Sequence, residues 1–141
     1  VNGSVSGSTS AGGLNIAEWT LSEPDIDLMI LCLGANDMLR GINPKETKSN
    51  LGEIIKIAKD KNIKVIIAGM IAPTSYGLNY KKTFDKIFSD LAKIYELQLV
   101  PFLLEGVAQK PEFNLSDGMH PNDQGTIIIS NTLKEAILKN L

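Results

Sequence analysis

The chain has 141 residues, enough for one domain with a substantial core. Hydrophobic residues make up 43% and charged residues 21%, a balance typical of a globular protein and unlike that of a disordered chain. The formal net charge of −2 gives no electrostatic basis for binding nucleic acid or an anionic membrane. No apolar run approaches the roughly 20 residues that span a bilayer, so no integral membrane association is expected.

The first predicted elements are a weakly marked helix and a strand. The helix holds Leu14, Ile16, Ala17 and Trp19. The apolar run from Ile26 to Leu33 predicts a buried strand, because strands covered on both faces are apolar nearly throughout. Cys32, the only cysteine, lies in this run and is expected to be a small buried hydrophobe. A single cysteine also excludes an internal disulfide.

The middle of the chain predicts helix, strand and helix. Asn43-Pro44-Lys45-Glu46 offers an N-cap, a proline at the first helical position and a glutamate at the third. Apolar residues then repeat at helical spacing, at Leu51, Ile54, Ile55 and Ala58. A second buried strand is predicted over Ile63 to Met70. The next helix covers about Tyr80 to Tyr95, with one face made of Phe84, Ile87, Phe88 and Leu91.

The last elements complete an alternating pattern that defines the fold class. A third strand is predicted over Leu97 to Phe102, and a helix that starts at Pro121 buries Ile128, Ile129, Leu133 and Ile137. Strands that alternate with helices predict parallel pairing through right-handed crossovers. The expected fold is therefore an α/β protein, a three-layer α/β/α sandwich, in a single domain over residues 1–141.

Polar residues follow the predicted strands at the edge where ligands bind in such sheets, outside the carboxyl ends. They are Gly34-Ala35-Asn36-Asp37, the stretch 71–75 and the loop that leads to Asp117 and His120. His120 is the only histidine in the chain, and Gly118 lets the loop fold back so that the Asp117 carboxylate can orient the imidazole as a general base. The alternative for this stretch is a surface loop with an ordinary helix cap.

Two further positions could stabilise a developing oxyanion. The side-chain amide of Asn36 can donate a hydrogen bond to it, and Gly7 can turn its backbone N–H toward a reacting oxygen. The alternatives are a strand-to-loop turn at Asn36, with Asp37 bracing the loop, and a flexible terminus at Gly7. The Gly- and Ser-rich opening has neither phosphate-loop spacing nor a G-x-S-x-G elbow. One histidine, one cysteine and dispersed carboxylates give no expected metal site.

Three stretches together, SVSGSTS, LGANDMLRG and DGMHPND, resemble the SGNH hydrolase (GDSL esterase/lipase) superfamily over essentially the whole chain. The arylesterase, acyl-thioesterase I and lysophospholipase L1 branch is the most similar. The resemblance implies a flavodoxin-like parallel sheet, an oxyanion hole of Gly7 and Asn36, and a triad acid and base at Asp117 and His120. It implies an acyl-chain pocket around Met38, Leu39, Ala72 and Pro73, and no cofactor.

One feature of that superfamily is absent from this sequence, namely the Gly-Asp-Ser-Leu-like block with the nucleophilic serine. None of Ser4, Ser6, Ser8 and Ser10 lies in a strand-turn-helix elbow. The superfamily's first strand and helix are expected to be missing too, on the order of 30 residues. Because that strand is interior to the sheet, its loss would leave unpaired backbone groups. We therefore expect an N-terminal fragment carrying the serine as a partner, either cleaved and held in place, or a separate chain, or residues that precede this sequence. The alternative is a rearranged sheet.

The resemblance implies a serine ester hydrolase that cleaves small-molecule carboxylic esters or thioesters through an acyl-enzyme. The chain by itself is expected to be inactive without the nucleophile segment. Two alternatives are a non-catalytic binding or structural domain, and a carbohydrate acetylesterase or acyltransferase. The compartment is left open by the residues; a periplasmic or secreted location is implied by the resemblance alone.

Overall fold

The computed structural model of the protein describes residues 1–139. The main elements in chain order are α1 (Ser10–Thr20), β1 (Leu28–Leu31), α2 (Ala35–Leu39), α3 (Pro44–Asp60), β2 (Lys64–Ala68), α4 (Leu78–Tyr95), β3 (Gln98–Val100) and α5 (Asp123–Leu138). Short 3-10 helices lie in two loops, at Thr74–Tyr76 and Pro111–Phe113.

The three strands form a parallel sheet in the order β1-β2-β3. Leu28 pairs with Lys64 at one end of the first ladder, and Ile66 pairs with Gln98 in the second. This arrangement confirms the predicted α/β class and parallel pairing. The paired segments are shorter than the apolar runs because the ladder ends where the chain turns toward the loops.

Helices cover the sheet and create one continuous core. α1 packs against α3, α3 against α4, and α4 against β2 and β3, while α5 packs against β3. Fully buried side chains at the centre are those of Leu51, Ile55, Ile66, Ile67 and Phe84. Asn43 caps α3 as predicted, its side chain accepting a hydrogen bond from Lys45 N at 3.0 Å.

Two local predictions were wrong, and one alternative was incomplete. The stretch at Gly34, for which a strand-to-loop turn was the alternative, also starts the short helix α2. The last helix starts at Asp123 and not at Pro121, because Asn122 caps it with a side chain that accepts from Gly125 N at 3.0 Å. Cys32 is exposed, because β1 is an edge strand with no partner on one side in the part of the chain that the structure describes. Within residues 1–139 no helix has the length and apolarity to cross a bilayer.

Candidate active site

Asp117 and His120 form a hydrogen-bonded pair, as the sequence predicted from their spacing. The distance from His120 Nδ1 to Asp117 Oδ2 is 2.7 Å. The other carboxylate oxygen accepts from the backbone N–H groups of Met119 at 2.8 Å and of His120 at 2.9 Å. The Asp117 carboxylate therefore orients the His120 ring and also fixes the backbone at Met119 and His120. With Nδ1 occupied, Nε2 of a neutral ring is the nitrogen left to accept a proton.

A small closed loop presents this pair to solvent. Leu115 N donates to His120 O at 2.7 Å, and Asn114 and Pro121 form an antiparallel bridge below it. The buried Asn114 amide anchors the base by donating to Val107 O at 2.8 Å and Lys110 O at 2.7 Å. The tip is open, since 73% of the His120 side chain is exposed.

The pKa of the Asp117 carboxyl is lowered to about 2. The largest cause is the backbone hydrogen bond from His120, followed by its side-chain hydrogen bond and the backbone bond from Met119. Hydrogen bonds to the ionised form favour that form. Asp117 is therefore a carboxylate at neutral pH and can stabilise an imidazolium at His120.

Asn36 lies in the first turn of α2, directly beyond β1. Gly34 caps this helix with φ at +112°, a backbone conformation that glycine adopts readily, and a Cβ there would lie 3.2 Å from the Phe88 ring. The Asn36 side-chain Nδ2 donates to Ser8 O at 3.0 Å. Because an amide carries two N–H donors, the second is available to a ligand.

Gly7 lies in a tight turn that faces α2. The turn is closed by Ser8 N donating to Val5 O at 3.1 Å, and Gly7 occupies its third position with φ at +73°. Within residues 1–139 the Gly7 N–H has no hydrogen-bond partner. The structure thus brings the predicted oxyanion glycine next to the segment that Asn36 contacts.

Asp37 braces this region, as the sequence suggested. Its carboxylate is 1% exposed and accepts from Ser10 N at 2.7 Å, from the Ser10 hydroxyl, and from Thr47 Oγ1 at 3.1 Å. It therefore joins the start of α1 to α2 and α3. Ser10 is fully buried in this network, which removes it from the accessible serines.

Tyrosine hydroxyls fix the other end of α2. Tyr76 Oη donates to Leu39 O and Tyr80 Oη donates to Ile42 O, each at 2.9 Å. Sequence reasoning missed these contacts and also missed Arg40, whose Nη2 donates to Gly7 O at 2.9 Å. No sequence signal pointed to Arg40, because it follows a five-residue helix that the sequence did not predict and its partner Gly7 is 33 residues away.

The four residues predicted to line an acyl pocket differ in exposure. Leu39 is 46% exposed and Pro73 is exposed, whereas Met38 is partly buried against the core and Ala72 is 2% exposed. Both backbone polar groups of Ala72 are bound, its N–H by Asp85 at 2.8 Å and its carbonyl by Lys81 at 2.8 Å. Leu39 and Pro73 are therefore exposed and Ala72 is buried, and the assignment of all four residues to an acyl pocket stays a prediction.

The two halves of the candidate site both lie beyond the carboxyl ends of strands, α2 after β1 and the His120 loop after β3. No hydrogen bond between the Asp117–His120 pair and Asn36 or Gly7 occurs among the described residues. Nor do residues 1–139 contain a group of three or more His, Cys, Asp or Glu placed to hold a metal ion. The roles assigned to these residues stay predictions.

The parallel sheet covered by helices defines an α/β domain, and the Asp117–His120 pair lies beyond the carboxyl end of β3. Comparison with known proteins identifies the family. The profile of the GDSL-like Lipase/Acylhydrolase family matches residues 1–126, so the chain belongs to this family. The resemblance seen in the sequence is thereby confirmed.

Relatives and solved structures agree with this membership. An arylesterase from Vibrio mimicus is 38% identical over 141 residues, which are 100% of this chain and 70% of that protein. A thioesterase 1/protease 1/lysophospholipase L1 from Escherichia coli is 36% identical over 122 residues, which are 86% of this chain and 59% of that protein. The crystal structure of AlinE4, an SGNH-hydrolase family esterase, has a TM-score of 0.80 at 38% identity and covers 100% of this chain and 76% of AlinE4.

Proposed function

We propose that this chain is the larger part of a serine ester hydrolase that cleaves carboxylic esters or thioesters. The observation that carries the proposal is the Asp117–His120 pair, with 2.7 Å between Nδ1 and Oδ2 and with Nε2 open to solvent. Membership of the GDSL-like family and the ester-hydrolase names of its relatives support the same reaction class.

The chemistry requires one bond to form and one to break in each half-reaction. A serine hydroxyl attacks the acyl carbon while His120 Nε2 takes its proton, and Asp117 stabilises the imidazolium. The Gly7 N–H and the Asn36 amide stabilise the oxyanion, each donor contributing roughly 3 kcal/mol. His120 then gives the proton to the leaving alkoxide or thiolate as the ester bond breaks. Water repeats the sequence and releases the carboxylic acid.

The attacking serine is proposed to come from a segment outside these 141 residues, held along β1. Within residues 1–139 one edge of β1 has no partner strand, and it borders a cavity of about 620 Å³ whose lining includes Ile16, Leu21, Met29 and Ile30. Thr20 also lines it, and its buried hydroxyl has no hydrogen-bond partner within residues 1–139. An extended apolar segment would pair with the edge, fill the cavity and reach the carboxyl end of the sheet.

The test is the intact mass of the folded protein after treatment with a fluorophosphonate, which labels only an activated serine. The expected result is an unlabelled 15.3 kDa chain accompanied by a labelled fragment of a few kilodaltons. A label on the 15.3 kDa chain itself would contradict the external nucleophile. A single unlabelled species would favour the non-catalytic binding domain.

Two variants connect labelling to the pair. His120→Ala removes the proton acceptor and should lower the labelling rate at least about a thousandfold. Met119→Ala is the matched control, because it leaves the backbone N–H that binds Asp117 in place. Equal labelling of the two variants would remove His120 from the mechanism.

A comparison of the hydrolysis rates of acetyl esters and longer acyl esters then separates carbohydrate-type deacetylation from lipid-like ester cleavage.

A further inference from the structure

Arg40 is the only arginine in the sequence, and its side chain binds the backbone of a distant turn. Within residues 1–139 it forms no ion pair with a carboxylate. Its hydrogen bond instead goes to a backbone carbonyl, that of Gly7, at 2.9 Å from Nη2. The same Nη2 is 3.9 Å from the point where a Cβ on Gly7 would lie, so the guanidinium packs directly against the turn.

The chain from Gly7 to Ser10 is tied at three points to α2 and to Arg40, the residue that follows α2. Arg40 holds the Gly7 carbonyl, Asn36 holds the Ser8 carbonyl, and Asp37 holds the N–H and hydroxyl of Ser10. Asn36 lies in α2 and Arg40 is the residue that ends it, so both carbonyl contacts come from this short segment. Of the three ties, only the one from Arg40 reaches Gly7 itself.

An oxyanion hole needs its two donors within hydrogen-bond distance of one point. Here the donors belong to separate segments, the Gly7 N–H to the turn and the Asn36 amide to α2. Glycine has a permissive backbone, and the turn is exposed, so the turn alone does not fix its distance from α2. We propose that Arg40 is a positioning residue that fixes the Gly7 N–H relative to the Asn36 amide. The catalytic part of this inference rests on the proposed function.

Arg40 can be replaced without disturbing the core, because its side chain is exposed. The buried carboxylate of Asp37 stays in place in such variants and continues to hold Ser10. Arg40→Met keeps most of the aliphatic stem and removes the donor. Arg40→Lys restores one donor without the planar geometry of the guanidinium. Lys82→Ala is the matched control, since it also removes an exposed positive charge and lies on α4 away from the turn.

The first measurement is backbone ¹⁵N relaxation of the folded protein, in the same preparation that is used for the fluorophosphonate test. In the wild type the Gly7 amide should have an order parameter near about 0.85, the value of rigid backbone. In Arg40→Met it should fall below about 0.6, while core residues such as Ile55 are unchanged. Arg40→Lys should be intermediate and Lys82→Ala should match the wild type. An unchanged Gly7 order parameter in Arg40→Met would overturn the inference.

The second measurement is ester hydrolysis by the preparation in which the wild type is labelled by a fluorophosphonate. Arg40→Met should lower kcat about tenfold with KM within about twofold, less than the loss of a whole donor. Arg40→Lys should recover part of kcat. A raised KM with unchanged kcat would assign Arg40 to substrate binding and overturn positioning. If the fluorophosphonate does not label the wild type, the proposed function is contradicted. The Gly7 order parameters still decide in that case whether Arg40 holds the turn.

Discussion

At the scale of single residues, Asp117 combines solvent exposure with a strongly bound carboxylate. Two backbone N–H groups and the His120 ring donate to it, and its pKa is lowered to about 2. The folded-state pKa lies below the ordinary value of 3.8, so the hydrogen bonds to the Asp117 carboxylate stabilise the folded state fully above about pH 4. This stabilisation is lost as the pH falls through about 2.

This carboxyl gives a prediction that tests the local geometry. A ¹³Cγ titration of Asp117 should have its midpoint at about 2. His120→Ala should raise the pKa only part of the way to 3.8, because the backbone hydrogen bonds, which are the first cause of the shift, remain. Met119→Ala is the control and should leave the midpoint in place. A complete return to 3.8 in His120→Ala would mean that the ring, and not the loop backbone, holds the carboxylate.

The sequence predicted one half of the candidate site better than the other. Asp117 and His120 are three residues apart in one loop, so a local turn suffices to join them. Arg40 and Gly7 are separated by 33 residues, and Asn36 and Ser8 by 28. Their contacts depend on how α1, β1 and α2 pack, which no short pattern encodes. The resemblance supplied Gly7 and Asn36, but not the arginine that joins them.

At the scale of elements, α5 positions the His120 loop through a close backbone approach. A Cβ on Gly125 would lie 2.2 Å from Phe113 O and 3.2 Å from the Pro121 Cβ. Both neighbours belong to the segment that supports Asp117 and His120. A side chain at position 125 would therefore push the helix and this segment apart.

We predict that Gly125→Ala lowers the free energy of unfolding by about 1 to 3 kcal/mol, although alanine is the better helix former by about 1 kcal/mol. Urea unfolding measures this change. Gly52→Ala in α3 is the matched control, because its Cβ would meet Tyr95 Oη at 3.5 Å and Leu91 Cδ2 at 3.7 Å, which are ordinary contacts. That variant should be neutral or more stable by up to about 1 kcal/mol. Equal effects of the two substitutions would contradict this packing.

Elements with long periodic patterns were predicted, and those that depend on tertiary contacts were not. The patterns of α3 and α4 run over 17 and 18 residues and bury the expected faces. α2 has five residues, too few for a periodic signal. It is held by the contacts of its own Asp37 with Ser10 and Thr47, and by two tyrosine hydroxyls from outside the helix. The residues around Gly34 satisfy the rules for a turn equally well, so the sequence alone favoured a turn.

At the scale of the whole molecule, β1 has the sequence of an interior strand but the position of an edge strand. The run LMILCL has the apolar character of an interior strand, yet in the described residues the sheet ends at β1. Leu28, Met29 and Ile30 are only partly buried there. An exposed apolar edge is a template for pairing with another chain. The 141-residue chain kept alone should therefore associate through this edge.

Cys32 provides the test, because it is exposed and lines the cavity beside β1. Cys32→Lys places a charge on the edge and should reduce self-association, measured under reducing conditions by sedimentation velocity across a tenfold concentration range. Cys32→Ser separates loss of the thiol from gain of charge, and Asn131→Lys adds the same charge at an exposed position on α5. Both controls should associate like the wild type. If Asn131→Lys suppresses association equally, net charge is the cause, and the edge of β1 is not the surface that pairs.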